Sequence, residues 1–139
     1  MATIRAFTTI EQSHNLAEIL PLESADMYYD RGGLPSLIDK YVTHESIKND
    51  KYHHLIPCWT LTSLLSVLPQ CITKYIKSES CQKTFRLNLF RSYYHCVSYS
   101  FAPSISDNDG NNTLYCIGRD NWVDACVAMI ELLHELKML

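Results

Sequence analysis

Residues 121–137 read as one amphipathic helix whose apolar side is too wide to leave uncovered. Successive helical residues turn by about 100°. That turn gathers Trp122, Cys126, Met129, Ile130, Leu133 and Leu136 on one side, with Val123 and Val127 at its margin. Asp124, Ala128, Glu131 and Glu135 line the other side. The apolar arc covers roughly 180°, where a surface helix needs about 100°. Such a helix either lies deep across a sheet or also touches a partner chain. Asn121 is placed to cap it, because its side-chain oxygen can take an unpaired N–H of the first turn. Asp124 adds negative charge near the positive end of the helix dipole, and Lys137 sits where a cation is favoured.

The rest of the chain supplies what that helix would cover. Thr8-Thr9-Ile10-Glu11-Gln12 opens a first helix, with a threonine cap and Glu11 or Gln12 three residues on as in a capping box. Ile10, Leu16, Ala17, Ile19 and Leu20 give its apolar side, and Pro21 ends it. Residues 24–29 read as a short strand with Ala25, Met27 and Tyr29 on one face. Arg31-Gly32-Gly33 is a turn. Residues 34–50 lack a clean period and read as a surface excursion with a helical turn. A second short strand is expected over 51–56. Thr60 then caps a helix carrying Leu61, Leu64, Leu65 and Leu68, which Pro69 stops.

From Thr84 the pattern alternates. Phe85, Leu87 and Leu89 share one face, and after Arg91-Ser92 so do Tyr93, His95, Val97, Tyr99 and Phe101. Two such runs so close together predict a hairpin. Directly opposed residues point the same way, and both apolar sets are odd-numbered. The connecting loop must therefore hold an odd number of residues, or the pair must contain a bulge. Residues 103–112 form a turn-rich loop, and residues 113–117 a further strand. The order helix, strands, helix, strands, helix, with no βαβ repeat, predicts an α+β fold. We expect two layers: an antiparallel sheet of about four to five strands with three helices mainly on one face. A chain of 139 residues is expected to form a single domain over 1–139.

Composition narrows the function classes. Hydrophobic residues make up 47% and charged residues 19% of the chain, enough for a proper core. The formal charge of −3 argues against general nucleic-acid binding, which is usually basic. No apolar run approaches a membrane span, and residues 1–7 lack a signal-peptide core. A cytoplasmic protein is expected. The six cysteines include no C-x-x-C pair, and several sit inside apolar runs, so they read as free thiols.

Motifs for catalysis and metals fail on spacing. Asp107-Asn108-Asp109-Gly110-Asn111 resembles a calcium loop, but with Gly110 at the turn the end ligands fall on Ile105 and Cys116. Glu131 and His134 would need a second Glu-x-x-His on a facing helix. His53 and His54 are adjacent, so on a strand they point apart and do not chelate one ion with Cys58. His95 and Cys96 face apart for the same reason and share no proton. His44-Glu45-Ser46 is half of a two-histidine phosphoesterase pattern without its second half. No P-loop, Rossmann or G-x-S-x-G pattern is present, and no metal or cofactor is expected.

One charge anomaly points to binding. Between Cys71 and Ser100 stand Lys74, Lys77, Lys83, Arg86 and Arg91 against the single acid Glu79. Tyr75, Phe85, Phe90, Tyr93, Tyr94 and Tyr99 interleave with them. Cations can hold a phosphate while a tyrosine stacks a base. The expected ligand-binding residues are Arg86, Arg91, Tyr94 and Lys83.

Three stretches carry a resemblance. They are Leu20-Pro21-Leu22-Glu23-Ser24-Ala25-Asp26-Met27, then Leu55-Ile56-Pro57-Cys58-Trp59-Thr60-Leu61 with Leu64-Leu65, then Val123-Asp124-Ala125-Cys126 through Leu133-His134-Glu135-Leu136. Together they resemble a family of small uncharacterised proteins of gut Bacteroides-type bacteria and their phages and mobile elements. The resemblance covers about half the chain and brings no catalytic residues. It implies a cytoplasmic accessory protein, serving a phage against host defence.

The leading expectation is a non-enzymatic binding protein. It would sequester a nucleotide-like small molecule or dock on a host protein, as a homo-oligomer. One alternative is a small hydrolase with His53 or His54 near Asp26 or Glu23. The other is a purely structural protein-docking module.

Overall fold

Helix α4 (Trp122–Glu135) fills the arc that its sequence demanded. Asn121 caps it, its Oδ1 accepting the Asp124 N–H at 2.8 Å. Ile130 and Leu133 are fully buried within one chain. The arc is wide because α4 is covered on several sides. It packs on two strands of a sheet, on a helix built from residues 61–67 and on the first helix of the chain. Val123, Val127 and Ala125, at or beyond the expected margin, are buried as well. Each large apolar side chain so covered contributes about 1.5–3 kcal/mol. The width of the arc is thus accounted for without a partner chain. The helix ends with Lys137 in the left-handed region at φ 58°. The N–H groups of Lys137 and Met138 return to the carbonyls of His134 and Leu133, a Schellman-type stop.

The computed structural model describes residues 5–51, 54–101 and 113–139. Among these described residues the mixed α+β fold has two antiparallel sheets, where one was expected, and four α-helices, where three were expected. Helix α1 (Ile10–Ala17) carries the full capping box between Thr9 and Gln12. Its expected apolar residue Ile10 is 40% exposed, whereas Ser13 is buried. Ser13 is kept satisfied by the Thr8 hydroxyl at 2.8 Å.

A 3-10 turn at Leu22–Ser24 leads into β1 (Met27–Tyr29). Strand β1 pairs with both β2 (Pro35–Leu37) and β3 (Ile56–Cys58), giving the order β2-β1-β3. Strand β2 lies inside the expected surface excursion, together with helix α2 (His44–Lys48). Strand β3 falls later than the strand expected over 51–56. Both outer strands contain a proline, which only an edge strand tolerates easily. Helix α3 (Leu61–Val67) starts at the expected cap, Thr60. Asp26 fixes that cap by accepting from both the Thr60 N–H, at 2.9 Å, and the Thr60 hydroxyl.

The second sheet has the order β4-β5-β6-β7. It comprises β4 (Cys71–Ile76), β5 (Cys81–Arg91), β6 (His95–Ser100) and β7 (Thr113–Arg119). Leu87 faces Tyr99, Leu89 faces Val97 and Arg91 faces His95. The loop between β5 and β6 is therefore Ser92-Tyr93-Tyr94, an odd number as the alternation required. Tyr93, expected on the face of His95, belongs to that loop and is 90% exposed.

Phe85, Val97 and Tyr99 meet Ile72, Leu64, Trp59, Leu16 and the buried side of α4 in one core cluster. The opposite face carries Thr73, Tyr75, Thr84, Arg86 and Phe90, all exposed. The calcium-like loop at 107–111 lies outside the described residues. Among the described residues no helix is long and apolar enough to cross a membrane.

Candidate anion-binding site

At the hairpin end of the large sheet, three cationic or cation-capable side chains stand in one row. The pairing puts Arg91 of β5 opposite His95 of β6, and His95 opposite Arg119 of β7. All three have odd numbers on strands whose odd residues face α4. Directly opposed side chains start about 4.5–5.5 Å apart, so the two guanidinium stems rise roughly 10 Å apart with the imidazole between them. Like charges in one row cost stability. Among the described residues neither arginine is in an ion pair. Arg119 spends one donor on the Gly118 carbonyl at 2.8 Å, leaving most of its five donors free.

Helix α4 adds an aromatic wall. The Trp122 ring meets the His95 ring edge to face, with centroids 4.9 Å apart and planes at 78°. Trp122 is half-buried and Arg91 and Arg119 are exposed. The arrangement offers planar forks for an oxyanion and a ring beside them for an apolar or aromatic group.

The four residues expected to bind do not come together. Lys83 and Arg91 share the α4 side of β5 but stand eight residues apart, roughly 27 Å along the strand. Lys83 is held by Glu79 at 2.6 Å and lies 4.9 Å from the centre of the Phe101 ring. Arg86 points to the opposite face, opposite Ser100 and Cys71. Tyr94 folds over that same opposite face, its Cβ close against Gly118. Of the four, only Arg91 belongs to the row. Sequence alone does not bring Arg119 and Trp122 to the site: only the pairing of β7 aligns Arg119 with Arg91, and only the packing of α4 brings the Trp122 ring to His95. His95 and its neighbour Cys96 face apart, as successive strand residues must.

The hydrolase alternative rested on His53 or His54 with Asp26 or Glu23. His53 lies outside the described residues, and Asp26 has both oxygens engaged by Thr60. Two open clefts lie among the described residues. One, of about 440 Å³, lies between α1 and α4 and is lined by Glu18, Glu131, His134 and Glu135. The other, of about 330 Å³, is lined by Glu23, His44, Glu45 and Lys48, with His44 Nε2 at 2.7 Å from the Ala25 carbonyl. Three glutamates line the first cleft, which does not suit it to an anion, whereas in the second Glu23 and Glu45 stand beside Lys48 and His44. Among the described residues no group of three or more His, Cys, Asp or Glu is arranged to hold a metal ion. No family model matches this sequence, and neither a curated protein nor a solved structure does.

Proposed function

We propose that this chain is a non-enzymatic binding protein that holds a nucleotide-like anion on the Arg91–His95–Arg119 row. The observation that carries the reading is the row itself: two guanidinium groups flanking an imidazole, with no acid paired to either among the described residues. A phosphate placed over His95 would relieve that repulsion and accept from both forks. Trp122 would take the base, a contact worth about 1–3 kcal/mol in stacked nucleotide complexes. In the setting that the family resemblance implies, such a protein would act in the cytoplasm by sequestering a host signal. Sequestration asks for affinity and no chemical step.

The test is calorimetric titration with cyclic and linear nucleotides and with inorganic phosphate. Arg91→Ala and Arg119→Ala should each weaken nucleotide binding at least tenfold, about 1.4 kcal/mol. Added salt should weaken binding by the wild-type chain. Arg86→Ala, on the far face, should leave affinity unchanged. Absence of any nucleotide binding, or an equal loss with Arg86→Ala, would overturn the reading.

Docking on another protein is the second reading. It draws on Leu34, Leu37 and Tyr41, which are 65%, 67% and 78% exposed beside the β2 edge.

A further inference from the structure

We propose that Cys96 and Cys116 are a reactive thiol pair that closes into a reversible disulfide across β6 and β7. The inference stands on these two residues alone and does not depend on the anion-binding reading. Cys96 pairs with Gly118, and Cys116 pairs with Ser98. The two cysteines are therefore diagonal neighbours, one step apart on the same face of adjacent strands. That face is the one turned away from α4.

Gly118 opens the path between them. A Cβ built on it would lie 3.3 Å from Cys96 Sγ, so the thiol leans across the gap that the missing side chain leaves on β7. The Cys96 thiol donates to the Tyr94 carbonyl at 3.6 Å and stands near enough to Cys116 to act on its thiol. Cys116 is exposed and Cys96 nearly buried, which divides the roles: Cys116 meets a reagent first and Cys96 resolves the adduct. Diagonal positions on a flat sheet stand about 7–8 Å apart, slightly beyond the usual disulfide span of about 4.4–6.8 Å. Sheet twist shortens one of the two diagonals. Closure thus asks the strands to tighten slightly, and a bond made under such tension is readily reduced.

The oxidant is a low-molecular-weight disulfide. The Cys116 thiolate attacks one sulfur of that disulfide, forming a mixed disulfide and releasing one small thiolate. The Cys96 thiolate then attacks Cys116 Sγ and releases the second. The two electrons lost by the protein thiols reduce the small disulfide to two thiols, which take up the two protons. Burial, and after it the neighbouring Cys96, push the Cys116 thiol up from its ordinary value. The reaction should accordingly be slow at neutral pH and faster in mild alkali.

The experiment uses the full chain carrying Cys71→Ser and Cys81→Ser, which removes the other two exposed thiols. The folded protein is treated with oxidised glutathione, then denatured, alkylated and mapped by mass spectrometry. The expected result is a Cys96–Cys116 linked peptide, the loss of two hydrogens, alkylated Cys58 and Cys126, and reversal by dithiothreitol. Adding Cys96→Ser should trap glutathione on Cys116 instead. Stable glutathione on Cys116 with Cys96 present, linkage to Cys58 or Cys126, or no reaction at either cysteine would each overturn the proposal. Circular dichroism of each variant before treatment confirms that the folded chain is what reacts.

Discussion

The Gln12 side-chain amide donates to Asp124 Oδ1 at 2.8 Å, tying the first turn of α1 to the first turn of α4. The same carboxylate accepts from Arg5 Nη1 at 3.2 Å, and its Oδ2 accepts from the Asn121 side chain at 2.8 Å. Gln12 meanwhile closes its own capping box on Thr9. Two helix starts distant in sequence thus share one polar knot.

Asp124→Ala should therefore cost more than an ordinary surface change. It removes three side-chain hydrogen bonds, two of them charge-assisted by the carboxylate alone, at a half-buried position. Bonds to charged groups contribute about 1.5–3 kcal/mol each when well shielded. Exposure and salt reduce the Arg5 ion pair towards about 0–1 kcal/mol. A loss of about 2 kcal/mol by urea titration is the expected outcome. A loss below about 0.5 kcal/mol, the range of ordinary surface substitutions, would refute the shared knot.

The coverage of α4 is tested by a pair of truncations. Leu133 is fully buried and Ile10 is 40% exposed, although the helical period puts both on apolar faces. Leu133→Ala should cost about 2–5 kcal/mol through lost contact and a cavity. Ile10→Ala should stay within about 0.5 kcal/mol. Chemical denaturation of the two variants at equal protein concentration checks both. Equal losses would mean that α4 is not the inner helix described here.

Loop parity gives a sharper test of the large sheet. Ser92-Tyr93-Tyr94 sets Leu89 opposite Val97, and Val97 is fully buried. One glycine inserted between Tyr93 and Tyr94 makes the loop even, so the strands must either bulge or turn Val97 outwards. Each apolar side chain so displaced costs about 1.5–3 kcal/mol. Inserting two glycines restores parity and should be milder than inserting one. Thermal unfolding of the two insertions ranks them, and the reverse order would contradict the register.

That parity was readable from the sequence because alternation is a local signal. The first cap narrows to Thr8 or Thr9, of which the structure uses Thr9, and the caps at Thr60 and Asn121 were readable for the same reason. The division into two sheets was not. Met27 pairs with both Leu37 and Cys58, and such pairing leaves no periodic mark in three-residue strands. Strand β4 escaped because its buried residue Ile72 sits among exposed Cys71, Thr73, Lys74 and Tyr75, an edge strand with one face in water. The site failed on a related point. Arg86 and Arg91 are five residues apart on one strand, an odd separation that sends them to opposite faces. Only the register of β7 then reveals Arg119 as the partner of Arg91.

The close approach at Gly118 predicts a local coupling. A Cβ there would meet Tyr94 Cβ at 3.0 Å and Cys96 Sγ at 3.3 Å, so alanine forces the hairpin loop to move. Overpacking of this kind costs about 1–3 kcal/mol. Tyr94→Ala keeps the offending Cβ and should not relieve it, whereas Tyr94→Gly should. A double-mutant cycle measures this: Gly118→Ala should couple to Tyr94→Gly by about 1 kcal/mol. Additive effects would exclude the contact.

Alkali should unfold the protein through groups held protonated inside it. Burial pushes the Cys126 thiol up to about 12 from an ordinary 9.0. Burial, with smaller contributions from Cys58, raises Tyr29 to about 12 from 10.0. The folded chain therefore keeps protons that the unfolded chain releases between about 9 and 12. Stability is complete below the unfolded values and falls as pH rises through that window, because the unfolded state binds fewer protons there. Replacing Cys126, which is fully buried, by alanine removes one such group at the cost of a small cavity. The variant should start lower at pH 8 yet lose stability less steeply over the same window. Denaturant midpoints recorded from about pH 8 to about pH 11 on both proteins measure the two slopes. Lysine deprotonation contributes equally to both and cancels in the comparison. Parallel slopes would show that Cys126 releases its proton equally easily in the folded and unfolded chains, contrary to its burial beneath β6 and β7.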